Sequence, residues 1–93
     1  MYVFSASAEA TKTFDGIEPG QQAPFIVYIN FQDLFGAETL CKVLVMREGF
    51  KNVVIEKRQW LAPEKCQDKR ILAADKGLRE ALKTGFAIQL FSE

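Results

Sequence analysis

Proton transfer, nucleophilic attack and metal ligation each need particular side chains at productive spacing, and this sequence lacks the most versatile of them. It contains no histidine. That removes the commonest general base, the Ser-His-Asp and Cys-His arrangements, and the usual nitrogen ligand for zinc or copper. The two cysteines, Cys41 and Cys66, cannot close a structural zinc site alone, and their spacing matches no redox motif. Neither a phosphate-binding loop nor a dinucleotide fingerprint occurs, and the six glycines stand singly at positions that turns and helix ends explain. No metal and no cofactor is expected. The polar residues left for chemistry are Tyr28, Asn30 and Gln89 near strand ends, together with any buried carboxylate. Asp15 and Glu18 share a turn-rich loop, while Asp33 reads as a helix cap. A His-free enzyme or ligand binder, with a pocket between sheet and helices, is therefore an alternative reading rather than the main one.

Charge is more informative by segment than in total. The formal net charge is zero, so no long-range field draws the chain to nucleic acid or an anionic membrane. Residues 1–46 hold five acids and two bases, net −3, whereas residues 47–93 hold seven acids and ten bases, net +3. Lys57 and Arg58 close one strand. Lys69, Lys76 and Lys83 recur every seven residues with Arg79 beside their line, which reads as one basic stripe along a helix. Asp75 and Glu80 interrupt it, and an amphipathic helix needs a solvated face in any case. Nucleic-acid binding through this stripe is a third, weaker reading, because no recognition motif accompanies it.

The elements that must position these residues follow from apolar periodicity. Residues 2–9 alternate as a strand, and Asp15-Gly16, Pro19-Gly20 and Ala23-Pro24 mark residues 11–24 as a long connection. Phe25 to Phe31 is the strongest strand, β-branched and aromatic, and predicts a central position. Asp33 caps a helix whose inner face is Leu34, Ala37, Leu40, Cys41, Leu44 and Val45, stopped by Gly49. Asn52 to Trp60 is a third strand ended by Pro63. Pro63 to Thr84 is helical with a break near Gln67-Asp68, and Gly77 costs it about 1 kcal/mol relative to Ala. Phe86 to Phe91 is the last strand. The order β-β-α-β-α-β predicts an α+β, two-layer sandwich of a four-stranded mixed sheet and two helices, with a crossover that makes the second and third strands parallel. At 93 residues the whole chain, residues 1–93, is expected to be a single domain.

The favoured function, by elimination, is a non-catalytic protein-binding module, of inhibitor or immunity type, that self-associates as a homodimer. Its interface candidates are Arg58 and Trp60, the basic residues Lys69, Lys76, Arg79 and Lys83, and Leu90 and Phe91 on a last strand without a protective Lys or Pro. Trp60 also reads as a core residue packed on the second helix. Cys41 is expected to be packed and Cys66, in a charged stretch, exposed; both thiols are expected to be reduced. Without a basic leader or an apolar run near the ~20 residues of a membrane span, a cytoplasmic chain with no membrane contact is expected.

Overall fold

The structure, a computed structural model, describes residues 1–13 and 16–90. Its elements are β1 (Tyr2–Ala10), β2 (Gln22–Ile29), α1 (Leu34–Arg47), β3 (Phe50–Trp60), α2 (Pro63–Cys66), α3 (Lys69–Ala74), α4 (Lys76–Thr84) and β4 (Phe86–Leu90). The four strands form one sheet in the order β3-β1-β2-β4. Every neighbouring pair is antiparallel.

The expected mixed sheet is therefore corrected. β2 and β3 do run in the same direction, since both are antiparallel to β1, but β1 lies between them. The hairpin joining β1 to β2 leaves the far edge of β1 free, and α1 carries the chain across β1 to fill it. β2 begins at Gln22, inside the expected connection, because Ala23 is buried and pairs with Ala8. Pro24 is tolerated there: it faces Ser7 and precedes Phe25, the first β2 residue with a described β4 partner. Thr11 ties this connection to the turn after α1, its hydroxyl donating to the Gly49 carbonyl at 2.7 Å.

The two-layer expectation is corrected as well, because helices cover both faces of the sheet. On one face, Phe4, Ala6, Ala8, Ala10, Phe25 and Val27 pack under Ala37, Cys41 and Val45 of α1. On the other, Tyr28 and Ala87 pack under Leu78 and Ala81 of α4 with Cys66 of α2. The strongest strand shows the cause in sequence: β2 is apolar on both sides, which a half-solvated sheet does not require. Alternation on β1 is Ala or Phe toward α1 and Ser5, Ser7 and Glu9 on the reverse. That reverse side is the part of the second face that α4, packed on β2 and β4, leaves open.

Two irregularities in the β1–β3 ladder, between Ser5 and Ala6 and between Ser7 and Glu9, shift the side-chain phase of β3. One lies by Asn52, which takes the left-handed conformation at φ 53°. As a result Phe50, Val53 and Ile55 turn to the α1 face and Val54 is left 56% exposed. Arg58 also reaches that face and pairs with Glu38 of α1.

The helical stretch after Pro63 divides into three helices rather than one with a single break. Asp68 accepts from the Arg70 N–H at 2.9 Å, restarting the helix near the expected place. Asp75 restarts it again, accepting from the Leu78 N–H at 3.0 Å. The Arg79 guanidinium donates to the Ala73 carbonyl at 2.9 Å and to that of Leu72, satisfying the end of α3. Gly77 is not a weakness of α4 but a condition of its docking. A Cβ there would lie 2.4 Å from the Tyr28 ring and 2.8 Å from the Gln89 amide. Gly77→Ala is expected to destabilise the fold by about 1–3 kcal/mol despite the better helix propensity of alanine. A lower urea midpoint at unchanged m-value checks this, and an unchanged or higher midpoint contradicts it.

Candidate functional site

At one end of the sheet β2 and β3 finish, β1 begins, and the chain leaves in two divergent directions. Trp60, the last residue of β3, lies opposite Tyr2, with ring centroids 4.8 Å apart and planes tilted by 59°. The Leu61 N–H then donates to the Met1 carbonyl at 2.8 Å, and the chain turns through Ala62 into α2, which opens on Pro63. β2 leaves through residues 30–32 to Asp33, whose carboxylate accepts from the Gly36 N–H at 2.8 Å and caps α1 as expected. α1 lies on one face of the sheet and α2 on the other. Between the two exits opens a cleft of about 550 Å³ lined by Asn30, Gln32, Trp60, Cys66, Gln67 and Leu82, with Met1 and Pro63 completing the wall.

The chemistry of this cleft is uniform in kind. None of its lining side chains is ionic, and the charge on the wall is the Met1 ammonium, 3.5 Å from the Leu61 carbonyl oxygen. Asn30, Gln32 and Gln67 present three exposed carboxamides that make no side-chain hydrogen bond among the described residues, and the Trp60 indole makes none among them either. Trp60 remains 46% exposed, which corrects its reading as a core residue packed on the second helix. Cys66 is buried rather than exposed, its thiol 3.9 Å from the Leu61 carbonyl oxygen. Cys41 is wholly buried beneath α1, and both cysteines are free.

The residues considered for acid–base chemistry are not brought together. Tyr28 and Gln89 lie under α4 by Gly77, whereas Asn30 opens on the cleft. The Tyr28 hydroxyl donates to Asp75 at 3.0 Å, and burial, with the Asp75 carboxylate beside it, pushes the phenol up to about 12. Burial, then the nearby Glu38 carboxylate, push the Cys41 thiol up to about 12 as well. Both shifts hold the groups neutral, the opposite of what activates a phenol or thiol as a nucleophile. No group of three or more metal-ligating side chains occurs among the described residues.

The interface candidates are dispersed. Trp60 is on the cleft, and Arg58 is engaged by Glu38. The basic residues do not form one stripe on one helix: Lys69 opens α3, Lys76 and Lys83 lie on α4, and Arg79 is spent on the α3 carbonyls. Leu90 ends edge strand β4 and packs partly against the α1-side core; Phe91 lies outside the described residues. No helix among the described residues is long and apolar enough to cross a membrane.

Sequence reasoning missed the outer face of α1. Ala37, Cys41 and Val45 are its buried residues, and the opposite side carries Phe35, Thr39, Val43 and Met46 at i, i+4, i+8 and i+11. Phe35 is 82% exposed, and Val43, Met46, Leu40 and the preceding Phe31 are each at least 40% exposed. The signal was present: the apolar residues of this helix spread beyond the single stripe that packing on the sheet requires.

Comparison with protein-family models, with curated proteins and with solved structures finds no match for this chain.

The raised Tyr28 and Cys41 values predict the alkaline limb of stability. Each group is neutral in the fold and ionises more readily in the unfolded chain, from ordinary values of 10.0 and 9.0. Their contribution is complete below pH 9.0 and is lost as the pH rises toward about 12. Urea unfolding across that window is expected to show falling stability, with a shallower fall for Tyr28→Phe above pH 10.0. Parallel curves for the two proteins would contradict it.

Proposed function

We propose that this chain is a non-catalytic, single-domain protein-interaction module that pairs with a second copy of itself through the outer face of α1. The observation that carries this reading is the exposure of Phe35, Val43 and Met46 on the side of α1 turned away from the sheet. Single exposed apolar residues are ordinary; a row of them along one helix face is characteristic of an interaction surface. A two-fold arrangement with antiparallel α1 helices sets Phe35 of one copy near Met46 of the other and Thr39 near Val43. Charge favours the same arrangement. Asp33 stands at the start of α1 and Arg47 in its last turn, so antiparallel copies bring opposite charges and opposite helix ends together. Two free, buried thiols fit a reducing compartment such as the cytoplasm.

Sedimentation velocity on the purified chain tests the reading. The wild type is expected to sediment as a dimer at high micromolar concentration, and Phe35→Asp to weaken association by at least about tenfold. Because Phe35 is exposed, the variant should keep the far-UV spectrum of the wild type. A wild-type monomer at that concentration, or a dimer that Phe35→Asp and Met46→Asp leave intact, overturns it.

A further inference from the structure

We propose that the cleft between the exits of β2 and β3 is a binding site for a neutral, planar nitrogen heterocycle of the nucleobase class, taken as the free base or the nucleoside. This goes beyond the pairing of α1 and does not depend on it.

The position of the cleft is the first argument. In open, mostly parallel sheets, ligands sit beyond the strand ends where neighbouring strands send their connections to opposite faces; this antiparallel sheet has a similar parting of connections across one intervening strand. β2 and β3 run in the same direction and lead to α1 on one face and α2 on the other. β1 begins between them, so no helix fills the gap. The volume of about 550 Å³ lies within the range of small-molecule sites.

The lining is the second argument. No lining side chain is ionic, and the ammonium of the buried Met1 in the wall is already turned to the Leu61 carbonyl oxygen at 3.5 Å, so a neutral ligand fits this cleft best. Asn30, Gln32 and Gln67 each hold a donor and an acceptor, none of them bonded to another described residue. A carboxamide matches the adjacent donor and acceptor on the edge of a base, as the Asn or Gln pairing with adenine illustrates. The half-exposed Trp60, with Leu82 and Pro63 as apolar neighbours, supplies the flat surface on which such a ring stacks. A sugar would meet the carboxamides through separate hydroxyls rather than through the paired donor and acceptor of a base edge, and a nucleotide's phosphate would have to draw the Met1 ammonium away from the Leu61 carbonyl.

Trp60 is the only tryptophan, so its fluorescence reads the site directly. Adenine, adenosine, uracil, uridine, AMP and glucose are titrated in turn into the wild-type chain. At least one base or nucleoside is expected to quench Trp60 saturably and raise Tm. AMP is expected to bind no more tightly than adenosine, and glucose not to bind. Asn30→Leu and Gln67→Leu, both exposed positions, are each expected to weaken binding by about five- to tenfold while keeping the wild-type Tm without ligand. If no base or nucleoside gives saturable quenching, the proposal fails. It also fails if glucose competes equally, if AMP binds about tenfold more tightly than adenosine, or if both carboxamide variants bind as the wild type does. None of these results changes the sedimentation of the Phe35→Asp variant, so the two readings stand or fall separately.

Discussion

Most of this architecture depends on β1 being hydrogen-bonded along both edges while carrying alanine toward the helix above it. Ala6, Ala8 and Ala10, with Ala23 on β2, make a shallow floor, and α1 meets it with its own small residues Ala37 and Cys41. Larger side chains stand at the margins: Phe4 toward one end, and Phe25 against Phe50 at 4.8 Å, edge to face, toward the other. A floor of this kind lets a helix cross an interior strand closely, and that crossing makes β1 the second strand of the sheet instead of its edge. With β1 in that place, β2 and β3 end side by side but not in contact, and their connections part around the start of β1. The cleft is thus a product of the same packing that builds the core.

The sequence was most legible where one local rule governed. The helix between Asp33 and Gly49 sits where periodicity, an acidic cap and a left-handed glycine put it, and the strand read from Phe25 to Phe31 is present but displaced, as Gln22–Ile29. Sheet order was not legible, because two strands of matching direction can be neighbours or can flank a third, and nothing local to either distinguishes the cases. The second helical layer was visible only indirectly, in the apolar residues on both sides of β2. The restart at Asp75 was obscured because Ala73 and Ala74 continue a good helical pattern up to it; only the pairing of Asp75 with both Tyr28 and the Leu78 N–H explains why the chain turns there. The polarity of Asn30 is visible in sequence but its company is not, since Gln32, Trp60 and Gln67 come from the β2–α1 connection, the end of β3 and the turn after α2.

The short segment between β2 and α1 serves two surfaces at once. Asn30 and Gln32 line the cleft, while the ring of Phe31 lies so close to Gly36 that a Cβ there would be 2.4 Å from it. Alternate residues of one extended stretch thus face the strand-end opening and the first turn of α1. Arg58 and Glu38 join β3 to the same helix, an exposed ion pair that adds orientation more than stability. The broken helix on the other face is held by different means, with carboxylate caps at each start and the Arg79 guanidinium over the end of α3.

The division of the interior into two cores follows the order in which the chain leaves the ribosome. Every described buried residue of the α1-side core lies from Phe4 to Phe50, so three strands and their helix can close before the segment from Pro63 onward is made. The remainder, from Pro63 onward, then has a finished template: α2 to α4 settle on the bare face of β2, and β4 adds to its waiting edge. A nascent chain stalled before α4 would leave both that edge and the underside of Tyr28 uncovered. An unpaired strand edge beside an uncovered aromatic ring is the kind of surface that associates wrongly, so the segment from Pro63 onward shields the part already folded.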